Sequence, residues 1–137
     1  MRQINKIIVH CSATREGQDV TVDTIRKWHM EGRGWSDIGY HFYIDIHGKI
    51  HKGRDIAKMG AHCKGYNRNS IGVCYAGGVE QDGKTPADTR TFEQEEALLC
   101  VLRTLKAMYP EAVIHSHNDF ANKACPSFNA TEEYKNI

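Results

Sequence analysis

The segment from Ile4 to His10, INKIIVH, constrains the fold of this chain more than any other. Apolar β-branched residues dominate it, and such a run is typical of a buried central strand. Adjacent side chains on a strand point to opposite faces of the sheet, so His10 and Cys11 should face opposite ways. The sequence therefore predicts a buried strand that ends in a histidine.

The rest of the chain indicates strands and helices that alternate around one mixed sheet. TFEQ, Thr91 to Gln94, has the pattern of a helix capping box, and an apolar stripe follows it up to Tyr109, so a long helix should end before Pro110. We predict an α/β fold, with one domain over residues 1–137 and a central mixed sheet flanked by helices. The other predicted elements are a loop over 11–20, a helix over about 21–31, and strands over 41–46, 49–52, 71–76 and 112–115, with a turn at His47-Gly48.

Composition excludes several classes of protein. The 137 residues carry a formal net charge of +1, which provides no strong field for a polyanion, so nucleic acid is not expected as a partner. No apolar run approaches the roughly 20 residues that span a bilayer, so membrane insertion is not expected either. The N-terminal residues lack the apolar core of a secretory signal. We therefore expect a monomer that is cytoplasmic when made and has no signal peptide.

The segment from His115 to Phe128, HSHNDFANKACPSF, combines imidazole and thiol side chains. His117 and Cys125 are donors of the kind that zinc prefers, and His10 at its strand end is the natural third ligand. Three protein ligands leave one coordination position open, which distinguishes a catalytic zinc site from a structural one. The pattern predicts metal-assisted hydrolysis.

The ligand set has alternatives within the sequence. His115 and His117 would share a face on a continuing strand, so an all-histidine site of His10, His115 and His117 is also possible. Asp119 is placed either to accept a hydrogen bond from a ligating imidazole or to cap a loop. The five cysteines include no CxxC pair, which argues against a disulfide framework. Of these cysteines, Cys74 and Cys100 are expected in the core.

Four motifs carry a resemblance to a known family. They are VHCSAT at 9–14, GWSDIGYHF at 34–42, GAHCKGYNRNSIGVC at 60–74 and KACPSF at 123–128. In this order and register they resemble the zinc-dependent N-acetylmuramoyl-L-alanine amidases of the type-2 family, most closely the small lysozyme-amidases, or endolysins, of T-odd bacteriophages. The chain is more distantly similar to the peptidoglycan recognition proteins, and the resemblance implies their fold.

The resemblance also implies a reaction and its residues. The zinc ligands would be His10, His117 and Cys125, with catalytic roles for Tyr40 and Lys123. The substrate would be bacterial peptidoglycan, cut between N-acetylmuramic acid and L-alanine, and the context a phage or prophage endolysin that reaches the wall after the membrane is permeabilised. A lysine or phenol beside the oxyanion of the tetrahedral intermediate would strengthen its hydrogen bonds as charge develops, which independently suits these residue types.

The sequence also allows two other functions, and it leaves the roles of several further residues open. A non-catalytic peptidoglycan-binding module would lack ligands that this chain retains. A regulator of phage RNA polymerase is a second alternative, and the nine residues before His10 make that activity doubtful. His62 either lines a substrate groove or is a structural loop residue, and Trp35 and Tyr66 either stack on sugars or pack in the core. The remaining histidines expected to be structural or exposed are His29, His47 and His51.

Overall fold

A five-stranded sheet with the strand order β4-β3-β5-β1-β7 forms the centre of the molecule. The computed structural model describes residues 2–137. The strands are β1 (Lys6–Cys11), β2 (Thr14–Arg15), β3 (Phe42–Ile44), β4 (Ile50–Lys52), β5 (Ser70–Tyr75), β6 (Gly78–Val79) and β7 (Val113–Ser116), and the helices are α1 (Val22–Lys27), α2 (Phe92–Met108) and α3 (Ala130–Glu133). The predicted α/β fold with a mixed sheet is confirmed.

Strand β1 lies between β5 and β7 and runs parallel to both, as expected for a strand whose residues are almost all buried. Strand β3 is parallel to β5, and β4 adds an antiparallel edge. Parallel neighbours place their carboxyl ends at one edge of the sheet, which is the usual position of binding sites in open α/β sheets. Here that edge contains the end of β1 and the residues that follow β7.

The two faces of the sheet are covered differently. Val9 and Cys11 of β1 belong to the core cluster that includes Leu98 and Leu102 of α2. A second core cluster contains Ile25 of α1 and other residues of the opposite face. Since side chains alternate along a strand, His10 lies on the face away from α2.

Helix α2 begins at the predicted capping box. The Thr91 hydroxyl accepts from the backbone N–H of Gln94, and the Gln94 side chain accepts from the backbone N–H of Thr91. The Gln94 amide also donates to the carbonyl of Ala76 at 2.8 Å. This second hydrogen bond ties the start of α2 to the end of β5.

Some predicted elements differ from those observed. The predicted helix over 21–31 is α1 followed by a π-helical turn, Trp28–Gly32. The small parallel pair β2–β6 was not predicted, because two-residue strands carry no period that a sequence can reveal. Cys100 is exposed, so its expected core position is wrong: the buried stripe of α2 runs through Leu98 and Val101 instead. Within residues 2–137, no helix is long and apolar enough to cross a membrane.

Candidate metal centre

Three side chains, one from near the start of the sequence and two from near its end, meet at the carboxyl edge of the sheet. Val9 of β1 pairs with Ser116 of the parallel strand β7. His10 comes directly after Val9 and His117 directly after Ser116, so the two histidines lie side by side. Their ring centroids are 4.4 Å apart. Cys125 approaches from the loop before α3 and places its Sγ 3.9 Å from Nδ1 of His10. The potential ligand atoms of the three residues all lie within 4.8 Å of one another.

The chemistry of this cluster fits a metal ion. The Nδ1 atom of His117 is buried and has no hydrogen-bond partner among residues 2–137. A buried polar atom without a partner costs about 1–3 kcal/mol, and a metal ion would provide the missing partner. Two imidazoles and one thiol form a donor set of intermediate softness that suits zinc. The backbone N–H of Cys11 donates to Sγ of Cys125 at 3.2 Å, which would stabilise a thiolate there.

The protonation states of the cluster also favour a bound cation. Burial, followed by the nearby His62, His117 and Lys123, lowers the pKa of His10 well below its ordinary value. Burial and the Lys123 charge lower the pKa of His117 as well. Both imidazoles therefore stay neutral with a lone pair available. A hydrogen bond with the Cys11 thiol, together with burial, raises the pKa of Cys125, so this thiol needs a cation to ionise at neutral pH.

His62 lies directly behind His10. Its Nδ1 is 2.8 Å from Nε2 of His10, and its own Nε2 is 3.2 Å from the hydroxyl of Ser70. The sequence interpretation offered a groove position or a structural loop position for His62, and neither anticipated this contact. The two histidines are 52 residues apart, and no local spacing indicates their pairing.

Tyr40 and Lys123 line the same small cavity as the three donors, a space of about 220 Å³. The ring of Tyr40 lies 5.2 Å from that of His10, between centroids. Burial and the neighbouring Cys74 raise the pKa of Tyr40 well above its ordinary value, so its phenol remains protonated and able to donate. Lys123 is exposed at the cavity mouth.

A larger groove of about 720 Å³ adjoins this cavity and shares His62, His117 and Lys123 with it. Trp35 and Phe120 supply aromatic surface along the groove. Its charged lining residues within 2–137 are Arg33, Lys64 and Lys123, and none of its lining residues is acidic. The groove therefore suits a ligand that carries carboxylates.

The structure does not bring His115 into the donor cluster. The strand ends at Ser116 and His117 begins a 3-10 turn, so the two histidines do not share a strand face. Nδ1 of His115 instead lies 3.3 Å from Asp119, which also accepts a hydrogen bond from the hydroxyl of Thr131. Asp119 thus holds the loop to α3 and does not contact a cluster histidine.

The other predicted residues have mixed positions. Trp35 lines both cavities. Tyr66 lines neither, but its ring packs against that of Phe120 in the groove lining, with centroids 4.3 Å apart. His29 was expected to be structural or exposed, but it also lines the small cavity. Its Nδ1 accepts from the backbone N–H of Gly39 at 2.9 Å, and burial lowers its pKa to about 4. His51 is paired with Asp45 at 2.8 Å in the β3–β4 hairpin, a structural position.

Comparison with known proteins gives a consistent result. The family model described as N-acetylmuramoyl-L-alanine amidase matches residues 1–128. The endolysin of Escherichia phage T7 is 51% identical over 122 residues, covering 89% of this chain and 80% of the relative. Among solved structures, the N-acetylmuramoyl-L-alanine amidase LysC from Clostridium intestinale URNW has a TM-score of 0.80 at 29% identity, covering 96% of this chain and 82% of that one. Bumblebee PGRP-SA has a TM-score of 0.79 at 25% identity, and the match covers 99% of this chain and 83% of that one. With a match that spans nearly its whole length, this chain belongs to the N-acetylmuramoyl-L-alanine amidase family.

Proposed function

We propose that this chain is a zinc-dependent phage endolysin that hydrolyses the amide bond between N-acetylmuramic acid and L-alanine in bacterial peptidoglycan. The observation that carries the proposal is the cluster of His10, His117 and Cys125, which lies in the small cavity beside the groove of a chain of the amidase family. In this cluster the buried Nδ1 atom of His117 has no hydrogen-bond partner among residues 2–137. Membership of the amidase family supports the identity of the cleaved bond, and the donor set supports zinc as the bound metal.

The three donors would hold the zinc ion. When bound, zinc would polarise the scissile carbonyl and promote ionisation of a water molecule, which is the chemistry that amide hydrolysis requires. The protein's own contribution is to keep both imidazoles neutral by burial and to offer the Cys11 N–H to the sulfur of Cys125.

Tyr40 and Lys123 are the proposed catalytic residues. Both line the small cavity with the metal donors, so each faces the space where the scissile amide would lie. The Tyr40 phenol keeps its proton because burial raises its pKa, and it can therefore donate to an oxygen that develops negative charge. The Lys123 ammonium adds a positive charge at the same place. Both interactions strengthen only as the oxyanion forms, so both should accelerate turnover more than they improve binding.

The groove supports peptidoglycan as the substrate. Stem peptides carry free carboxylates, which match the cations Arg33 and Lys64 of the groove lining. The aromatic faces of Trp35 and Phe120 are suited to apolar contact with sugar rings and peptide methyl groups.

The bond can be tested by product analysis. Digestion of purified peptidoglycan should release new L-alanine amino termini and no new reducing sugar ends, and a chelator should stop it. A glycosidase would instead use two carboxyl groups flanking the sugar bond and would create reducing ends. A rise in reducing ends without new amines would contradict the proposed function.

The metal can be tested through the ligands. Wild type should hold about one zinc ion per chain, and Cys125→Ala should lose most of it. Two matched controls lie close to the cluster. Cys11→Ala keeps the backbone N–H that contacts Cys125, and His115→Ala removes the rival histidine, so both should retain zinc. Retention by Cys125→Ala together with loss by His115→Ala would point to the all-histidine site instead.

A further inference from the structure

We propose that His62 is a positioning residue that fixes the tautomer and orientation of His10, so that His10 presents Nδ1 to the metal. The inference rests on the zinc site of the proposed function. It gives His62 a role in metal binding that is separate from any contact with substrate.

The hydrogen atoms can be counted along the chain of contacts. His10 turns Nδ1 toward the sulfur of Cys125, so a neutral His10 that binds metal through Nδ1 holds its hydrogen on Nε2. That Nε2–H donates to Nδ1 of His62 at 2.8 Å, which must then be an unprotonated acceptor. The hydrogen of a neutral His62 therefore lies on Nε2, within 3.2 Å of the Ser70 hydroxyl. Each ring nitrogen of His10 and His62 is therefore assigned either as a donor or as an acceptor, without conflict.

His62 is held rigidly enough to orient another ring. A Cβ atom on Gly72 would lie 2.6 Å from Cγ of His62, so the imidazole rests directly on the backbone of β5. A Cβ atom on Gly60 would lie 2.8 Å from Cδ2 of the same ring. The backbone N–H of His62 donates to the side chain of Asn67 at 2.9 Å, which fixes the loop that carries it. The two glycines thus create the space that the ring fills.

Loss of the His62 acceptor should weaken metal binding through His10. A ligating histidine usually donates its second ring N–H to a fixed acceptor, and loss of that acceptor typically weakens metal binding about 10–100-fold. In most sites the acceptor is a carboxylate, a carbonyl or water, whereas here it is the nitrogen of a second imidazole. Without it, the Nε2–H of His10 would be buried with no partner, and the ring could turn away from Cys125 and His117.

A pair of substitutions separates hydrogen bonding from packing. Asn and Leu have similar size and branching, but only Asn offers an oxygen near the position of Nδ1. We expect His62→Leu to raise the zinc dissociation constant about 10–100-fold in competition with a chromophoric chelator. His62→Asn should raise it only a few-fold. Equal zinc affinity in wild type and both variants would overturn the inference, and so would an equal loss in both variants, since the acceptor would then be irrelevant.

A second measurement needs no variant at His62. In long-range proton–nitrogen NMR spectra of the zinc-loaded wild type, His62 should be protonated at Nε2 and unprotonated at Nδ1. A hydrogen on Nδ1 of His62 would overturn the inference even where His62→Leu fails to fold. Cys125→Ala distinguishes the two levels of failure. Full zinc binding by Cys125→Ala would refute the proposed metal site. If Cys125→Ala loses zinc while His62→Leu still binds it as tightly as wild type, only the role of His62 is refuted.

Discussion

His41 gives a quantitative prediction about the dependence of folding stability on pH. This residue is 1% exposed and contacts the backbone of Gly72 in β5. Nδ1 accepts from the backbone N–H of Gly72 at 3.0 Å, so the hydrogen of the neutral ring lies on Nε2, 2.8 Å from the carbonyl of Lys58. A second proton on Nδ1 would face the N–H of Gly72. Protonation must therefore break a buried hydrogen bond.

The size of the effect follows from the pKa. Burial lowers the pKa of His41 from 6.5 to about 4. Below pH 6.5 the unfolded chain binds a proton at His41 that the folded chain does not, so this stabilisation is complete above pH 6.5 and declines as the pH falls toward 4. At pH 5 the unfolded imidazole is mostly charged and the folded one mostly neutral, and proton linkage then gives a loss of about 2 kcal/mol relative to pH 7.

Urea denaturation of wild type and His41→Gln at pH 7 and pH 5 measures this difference. At pH 7 the variant should be less stable by about 1–3 kcal/mol, because the N–H of Gly72 loses its partner. Between pH 7 and pH 5, however, its free energy of unfolding should fall by about 2 kcal/mol less than that of wild type. His47→Gln, at an exposed histidine, is the matched control and should follow wild type. The reasoning is refuted if His41→Gln loses as much stability as wild type over this interval.

The remaining predictions concern turnover and the framework of the fold. Tyr40→Phe and Lys123→Ala should each retain zinc and lower kcat by about 10²–10³-fold with little change in KM. Steady-state kinetics on muropeptides measures this, and weakened binding at normal kcat would instead make the residue a groove contact. Thr91→Ala removes one half of the capping box and should lower the free energy of unfolding by about 1 kcal/mol in urea titration, with no change in zinc content; an unchanged midpoint would show that Gln94 alone caps the helix.

Local patterns in the sequence were sufficient for most of the fold. The apolar run of β1 and the capping box at Thr91 each specify their element through neighbouring residues, and both predictions are confirmed. The change from α-helix to π-helix within the first helical segment was not predictable in the same way. The helical spacing of apolar residues predicts a helix over 21–31 but does not distinguish an α-helical turn from the π-helical turn Trp28–Gly32.

The cluster of potential metal ligands was predictable for a different reason. Histidine and cysteine are residue types with a known preference for zinc, which made candidates of His10 and Cys125 although they are 115 residues apart. Residue type alone also allowed His115, and the resemblance to the amidase family selected His117. His62 lacks such a signal, because a histidine that accepts a hydrogen bond looks the same in a sequence as one that lies in a loop. Its role depends on the distance to His10, which only the fold determines.

The loop that carries Cys125 is fixed from several directions. The hydroxyl of Tyr75 on β5 donates to the carbonyl of Pro126 at 2.7 Å, next to the ligand. On the far side, the guanidinium of Arg90 lies 3.5 Å from the ring centroid of Phe128 and pairs with Glu133 of α3. None of these contacts involves a potential metal-ligating atom of the donor cluster. His10 lies near the end of β1, and His117 directly follows the neighbouring strand β7. Because the loop and both histidines are held by contacts outside the donor cluster, a bound ion would lose little of its interaction energy to ordering the chain.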